Sequence, residues 1–96
     1  MAQDKAALGK YREGKTNLDQ LLRERNELLE SLEVLVEQAR DLTTSDTIVK
    51  FDVAKSQDLC TTLKDVETRI DALIADINVH AGKCGEQPIK VQTVDS

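Results

Sequence analysis

The sequence predicts an all-α fold: an antiparallel hairpin of two long amphipathic helices, coiled-coil-like, completed to a four-helix bundle by self-association or by a partner. Three observations predict it. Aliphatic residues recur at three- and four-residue intervals from Thr16 to Leu42 and again from Val49 to Ile77, which is the periodicity of one helix face. Short polar residues separate the two stretches, and aromatic residues make up only 2% of the chain, as suits a narrow aliphatic seam.

The length sets the domain organisation. A chain of 96 residues forms one domain at most and buries only a thin core. We therefore predict a single helical domain over 1–96, in which helix 1 covers about 4–42, a turn covers 43–45, helix 2 covers about 46–82 and a flexible tail covers 83–96.

The beginning of helix 1 has mixed signals. Asp4 can cap the helix, whereas Gly9 and Gly14 each cost about 1 kcal/mol relative to alanine in a helix. We expect the first part of helix 1 to be continuous with the rest of the helix but only weakly stable. Thr16 and Asp19 imitate a capping box, which leaves a break near residue 15 as the alternative.

Helix 1 carries a wide apolar face. Its heptads place Leu8, Lys15, Leu22, Leu29 and Val36 in a first row. The second row contains Tyr11, Leu18, Arg25, Leu32 and Ala39, and the third Leu21, Leu28, Leu35 and Leu42. Three apolar positions in seven exceed what one partner helix covers. The predicted interaction face is Leu18, Leu21, Leu22, Arg25, Leu28, Leu29, Leu32, Leu35 and Val36.

Two basic residues interrupt these rows. Lys15 and Arg25 either fix register and partner choice, as polar seam residues do, or direct their charged ends to water along the helix edge. Arg25 is the stronger candidate for partner choice because leucines flank it on both turns.

The reversal is predicted at 43–45, where Thr43, Thr44 or Ser45 can cap helix 2 and Asp46 suits its first turn. The following residues, TIVKF, have strand-like composition, but a single strand has nothing to pair with. Helix is therefore favoured from about residue 46. Gly82 is the predicted C-terminal cap.

Helix 2 has a narrower apolar face than helix 1. Its rows are Val49, Leu63, Ile70 and Ile77, then Leu59, Val66 and Leu73, widened by Val53, Cys60, Ile74 and Ala81. Asp52 and Ser56 occupy seam positions, so the beginning of the helix should pack less well than its end. With the turn at 43–45, the numbers of facing residues should sum to roughly 88, which places Leu18 near Ile70.

Charge narrows the classes of partner. A net charge of −5 argues against nucleic-acid and anionic-membrane binding; nucleic-acid binding would require a local patch from the basic residues of 5–25. No apolar run reaches a membrane span and no signal peptide is evident, so a soluble, cytoplasmic protein is expected. The acidic charge concentrates at the turn end of the hairpin.

Asp76, His80 and Cys84 are the only candidate metal ligands by spacing. They lie at i, i+4 and i+8, on one side of an unbroken helix. A helix ending at Gly82 would spoil that alignment, so no metal or other cofactor is predicted. Cys60 is expected to be a small buried residue beside the seam and Cys84 to be accessible in the tail.

The sequence predicts no enzyme, because it has one histidine, no glycine-rich phosphate loop and no nucleophile-base arrangement. The favoured hypothesis is a non-enzymatic interaction module with an assembly, scaffolding or chaperone-like role. It would bury its leucine-rich face against a second copy or another helical protein. The alternative is a metal- or ligand-responsive helical regulator that uses Asp76, His80 and Cys84.

Overall fold

The protein is an antiparallel helical hairpin. In a computed structural model, which describes residues 4–94, helix α1 runs from Lys5 to Asp41 and helix α2 from Val53 to Cys84. No strand occurs in these residues, and the molecule measures 71 × 23 × 15 Å. The all-α prediction is confirmed and the hairpin agrees with it, whereas completion to a four-helix bundle stays a prediction. Neither helix has an apolar stretch long enough to cross a lipid bilayer.

Helix α1 begins and continues as its sequence favours. The carboxylate of Asp4 accepts a hydrogen bond from the backbone N–H of Ala7 at 3.1 Å, which satisfies one free donor of the first turn. The alternative break near residue 15 is wrong. Thr16 lies inside the helix and its hydroxyl donates to the carbonyl of Arg12 at 3.2 Å instead of capping a new helix.

The start of α2 differs from the prediction. Helix 2 was expected from about residue 46, but residues 42–52 form an irregular connection and Asp52 is the cap, accepting from the N–H of Lys55 at 2.9 Å. Thr44 does accept the N–H groups of Asp46 and Thr47, at 3.2 and 3.0 Å, as a cap would. However, the carbonyl of Thr47 accepts from the N–H of Thr44 at 2.7 Å, so the turn closes on itself.

The end of α2 also differs. Gly82 was the predicted cap, but the helix continues through it to Cys84. Gly85 ends the helix in the left-handed conformation, with φ of 76°, which only glycine adopts without strain. Because Gly82 is one turn too early, residues 83 and 84 belong to the helix and not to the predicted tail.

Two heptad rows of each helix form most of the contact between them, and Ile74 and Ala81 from a third row of α2 add to it at the open end. In α2 they are the predicted rows, extended to Ser56, His80 and Cys84. In α1 they are the second and third rows only. The buried and half-buried residues of α1 within this seam are Ala7, Tyr11, Gly14, Leu18, Leu21, Arg25, Leu28, Leu32, Leu35 and Ala39. The first row of α1, here called the outer row, is Leu8, Lys15, Leu22, Leu29 and Val36, and it lies beside the seam.

The register between the helices follows from the longer connection. Gly14 faces Ile77 and Arg25 pairs with Glu67, so the numbers of facing residues sum to 91 and 92. The predicted sum of 88 assumed a three-residue turn. Leu18 and Ile70 nevertheless belong to the same buried cluster.

The core lies at the open end of the hairpin, away from the connection. In α1 the buried residues are Ala7, Gly14 and Leu18, and in α2 they are Val66, Ile70, Ile77, Ala81 and Cys84. No residue of α2 before Val66 is buried. This agrees with the prediction that the beginning of helix 2 packs less well than its end.

The chain after α2 is anchored to this core. The amide side chain of Asn78 donates to the carbonyl of Ile89 at 3.1 Å and accepts from its N–H at 2.7 Å. The Ile89 side chain is half-buried against the core cluster. The predicted flexible tail is therefore fixed at Ile89, while Val91 and Val94 are exposed; its last residues, 95 and 96, lie outside the described chain.

Candidate interaction face

The outer row is a regularly spaced apolar feature that the hairpin leaves partly uncovered. Leu22, Leu29 and Val36 are 36%, 38% and 45% exposed, although they lie in the middle and second half of a continuous helix. Their seven-residue spacing keeps them on one side of α1 over about 21 Å. The remaining two members differ, since Leu8 is half-buried and Lys15 is exposed in solvent.

The structure divides the predicted interaction face into two groups. Leu18 is buried, and Leu21, Leu28, Leu32 and Leu35 are half-buried in the contact with α2. These five leucines hold the hairpin together. The sequence could not make this division, because leucine occurs in all three rows.

Arg25 has a partner in its own chain. Its Nε donates to the Oε1 of Glu67 across the seam, and the two side chains are 38% and 46% exposed. This pair links the helices at one register. Lys15, the other basic residue of the rows, lies outside the seam altogether, so its charge is hydrated.

The Arg25–Glu67 pair shows which side of α2 adjoins the outer row. Leu22 and Leu29 are neighbours of Arg25 at three and four residues along α1. Glu67 belongs to the α2 row that runs beside the seam and also contains Val53 and Cys60. The outer row and this second apolar edge therefore share one face of the hairpin.

Sequence reasoning missed the role of Glu67. Glu67 is the only charged member of the row formed by Val53, Cys60, Ile74 and Ala81. A carboxylate in an otherwise apolar row, on a helix facing an arginine in another apolar row, is the signal that predicts such a pair. The predicted register did not bring them together, because it was in error by about one helical turn.

Charged residues border the outer row on its solvent side. Asp19 and Arg40 lie one helical turn from its members, and Arg23 and Glu37 lie further round the helix, all of them exposed. Arg40 hydrogen-bonds the neighbouring Asp41 at 2.8 Å. This hydrogen bond lowers the pKa of the Asp41 carboxyl and raises the pKa of Arg40, so both are charged at neutral pH.

The opposite face of the hairpin has a shallow open groove. Its volume is about 340 Å³, and it is lined by Glu24, Glu27, Leu28, Ser31, Thr62 and Val66. The two carboxylates are exposed.

The candidate metal ligands do not converge. The helix reaches Cys84 after all, but this side chain is 1% exposed and its thiol contacts the carbonyl of Ala81 at 3.8 Å. Asp76 is exposed, with its Oδ1 3.6 Å from the Nε2 of His80. Within residues 4–94 no group of three or more His, Cys, Asp or Glu side chains is placed to hold a metal ion.

The two cysteines reverse their predicted environments. Cys60 is exposed and Cys84 is buried, whereas the sequence predicted the opposite. Cys60 lies in the row beside the seam at the poorly packed end of the hairpin, where α1 does not cover it. Cys84 lies in the seam itself because α2 extends beyond Gly82.

Comparisons of the chain with protein-family models, with curated proteins and with solved structures find no match. A functional assignment for this hairpin therefore rests on its own residues.

Proposed function

We propose that this protein is a non-enzymatic interaction module with an assembly, scaffolding or chaperone-like role, and that it binds a helical partner through the outer row. The observation that supports this proposal is the exposure of Leu22, Leu29 and Val36 at seven-residue intervals. Scattered exposed leucines are ordinary on protein surfaces, but a regular row of them along one helix is typical of an interface.

The spacing favours a helix as the partner element. A seven-residue repeat remains on one side of a helix and matches the knobs-into-holes packing of a second helix. A strand would present its side chains every second residue and could not follow the row. Docking of a helix against both α1 and the neighbouring α2 edge would extend the hairpin towards the predicted four-helix bundle.

The rest of the surface supports a binding role over a catalytic one. The groove on the opposite face is shallow and combines carboxylates with hydroxyls, and the single histidine contacts only Asp76 among the charged groups of the described residues. The proposal therefore requires no cofactor. A metal- or ligand-responsive regulator has no comparable support, because Asp76, His80 and Cys84 do not meet.

The proposal is tested by comparing the full-length chain with two aspartate variants in the cells that produce it. Leu29→Asp places a charge in the centre of the outer row. Val34→Asp is the matched control, because Val34 is 48% exposed on α1 but lies outside that row. The cells contain two copies of each chain that carry different tags. After chemical crosslinking, each tagged chain is isolated and the chains crosslinked to it are identified.

The wild-type chain and Val34→Asp are expected to retain the same associated chains, with crosslinks near the outer row, and Leu29→Asp is expected to lose them. Circular dichroism should show the same helix content for all three, because Leu29 is not a core residue. Identical sets of crosslinked chains for wild type and Leu29→Asp would rule out binding through the outer row.

A further inference from the structure

We infer that the occupant of the outer row is a second copy of this chain, with the two α1 helices antiparallel and Leu29 at the two-fold axis. This inference rests on the proposed function, since it names the partner for the same face. It is drawn from the row's spacing, from the charges beside it and from the surface area that the hairpin exposes.

The apolar residues are self-complementary in the antiparallel arrangement. With Leu29 against the partner's Leu29, Leu22 lies opposite the partner's Val36, because each is seven residues from the axis. The three exposed residues then form a continuous contact with no polar residue of the outer row inside it. Lys15 would lie opposite residue 43, beyond the end of the partner's α1, where its ammonium group stays in water.

The bordering charges become complementary in the same register. Asp19 lies close to the partner's Arg40, and Arg23 lies close to the partner's Glu37, and the symmetry repeats each pair. A parallel arrangement would place the charged borders of the two copies on opposite sides of the contact, so neither pair would form. Opposite charges across an interface therefore favour the antiparallel arrangement, which joins them.

One pair of like charges remains in the antiparallel arrangement. Glu30 lies beside the two-fold axis, on the same side as Arg23 and Glu37, so it approaches the partner's Glu30. This repulsion weakens the association without changing its register. It also gives a variant, Glu30→Gln, that should strengthen a dimer of this geometry and leave any other arrangement unaffected.

The elongated hairpin exposes more surface than a compact monomer would. The chain exposes 7538 Å², whereas a compact monomer of its mass exposes about 5500 Å². The difference of roughly 2000 Å² belongs to the whole surface, and an interface of standard size would cover ~800 Å² on each partner. The register also avoids Ile89, because Asn78, which binds it, packs opposite residues 13–14 of α1, outside the overlap.

Sedimentation equilibrium of the purified full-length chain tests the second copy directly. The wild type and Val34→Asp are expected to be dimers in the micromolar range, and Leu29→Asp a monomer with the same helix content. A monomeric wild type throughout this range would refute the second copy. It would not refute the proposed function, which the crosslinking experiment tests with every chain present in the cell.

Charge exchange tests the register. At low salt, Arg23→Glu and Glu37→Arg are each expected to raise the dimer dissociation constant on the order of tenfold, because each converts two opposite pairs to like pairs. The double variant should restore the wild-type value, and Glu30→Gln should lower it. A double variant as weak as the single ones contradicts the antiparallel pairing.

Disulfide formation tests the same register by another route, in a Cys60→Ser background where the remaining Cys84 is buried. Leu22→Cys and Val36→Cys chains should crosslink when mixed under mild oxidation, and neither should crosslink alone. Ser31→Cys, on the opposite side of α1, is the control and should stay monomeric on a non-reducing gel. Self-crosslinking of Leu22→Cys without the mixed product would show a parallel dimer and overturn the inference.

Discussion

Gly14 and Ile77 pack directly against each other across the two helices. A β-carbon added at Gly14 would lie 2.6 Å from the Cγ1 atom of Ile77, a side chain with no solvent exposure. Glycine at this position therefore allows α1 to approach one of the two largest fully buried side chains of α2. The helical cost that Gly14 brings is offset by this packing.

Gly14→Ala should lower the free energy of unfolding by about 1–2 kcal/mol, because overpacking of a filled site exceeds the gain in helix propensity. Gly9→Ala is the control, since no atom lies within 4 Å of its added β-carbon. That variant should raise the free energy of unfolding by roughly 0.5–1 kcal/mol. Urea denaturation measures both, and equal stabilisation by the two alanines would contradict the close contact.

A second glycine pair tests where α2 ends. Gly85→Ala should destabilise the protein by about 1 kcal/mol, because its φ of 76° is unfavourable for a residue with a β-carbon. Gly82→Ala should stabilise it by a similar amount, because Gly82 is inside the helix with open space around it. Thermal unfolding compares them, and the reverse order would place the helix end at Gly82.

The Arg25–Glu67 pair should make a small contribution to stability. Both side chains are more than one-third exposed, so solvent screening limits their coupling to about 0.2–1 kcal/mol. A double-mutant cycle with Arg25→Ala and Glu67→Ala measures it, and the coupling should decrease with added salt. A coupling of zero at low salt would show that the pair does not hold the register.

Removal of the Asn78 side chain should release the residues after α2. Asn78→Ala leaves the N–H and the carbonyl of Ile89 without their partners, and we expect a loss of about 1–2 kcal/mol from these two hydrogen bonds. Amide hydrogen exchange at Ile89 should accelerate while exchange in the middle of α1 stays slow. Asn17→Ala, on the exposed surface of α1, is the control and should leave exchange at Ile89 unchanged.

The spacing of apolar residues predicted the helices well, because it identifies the positions that lie on the buried face of a helix. The rows of α2 follow from it directly, whereas the cap at Asp4 follows from the capping preference of aspartate. The connection was less predictable, since Thr44 and Asp52 are both good capping residues and propensity does not choose between them. The hydrogen bond from Thr44 to Thr47 decides the choice, and it depends on a backbone conformation that residue types do not specify.

The predicted interaction face contains two groups of residues that the sequence does not distinguish. Leu28 and Leu29 are identical residues next to each other, yet one packs in the seam and the other is exposed. Only the rotation of α1 relative to α2 separates them. That rotation is set by contacts such as Gly14 with Ile77, whose partners are distant in sequence and are not encoded by any local pattern.

The location of the core at the open end has a consequence for how the chain folds. Gly14 and Ile77 are separated by 63 residues, so the best contacts join the most distant parts of the sequence. Closing a loop of this length costs about 1 kcal/mol more entropy than closing one a third as long. Pairing of the two helices outward from the connection therefore forms few stabilising contacts at first. The hairpin should fold more slowly than local helical contacts alone would allow. The open-end halves of α1 and α2, which contain the buried residues, should be the last parts of the hairpin to separate.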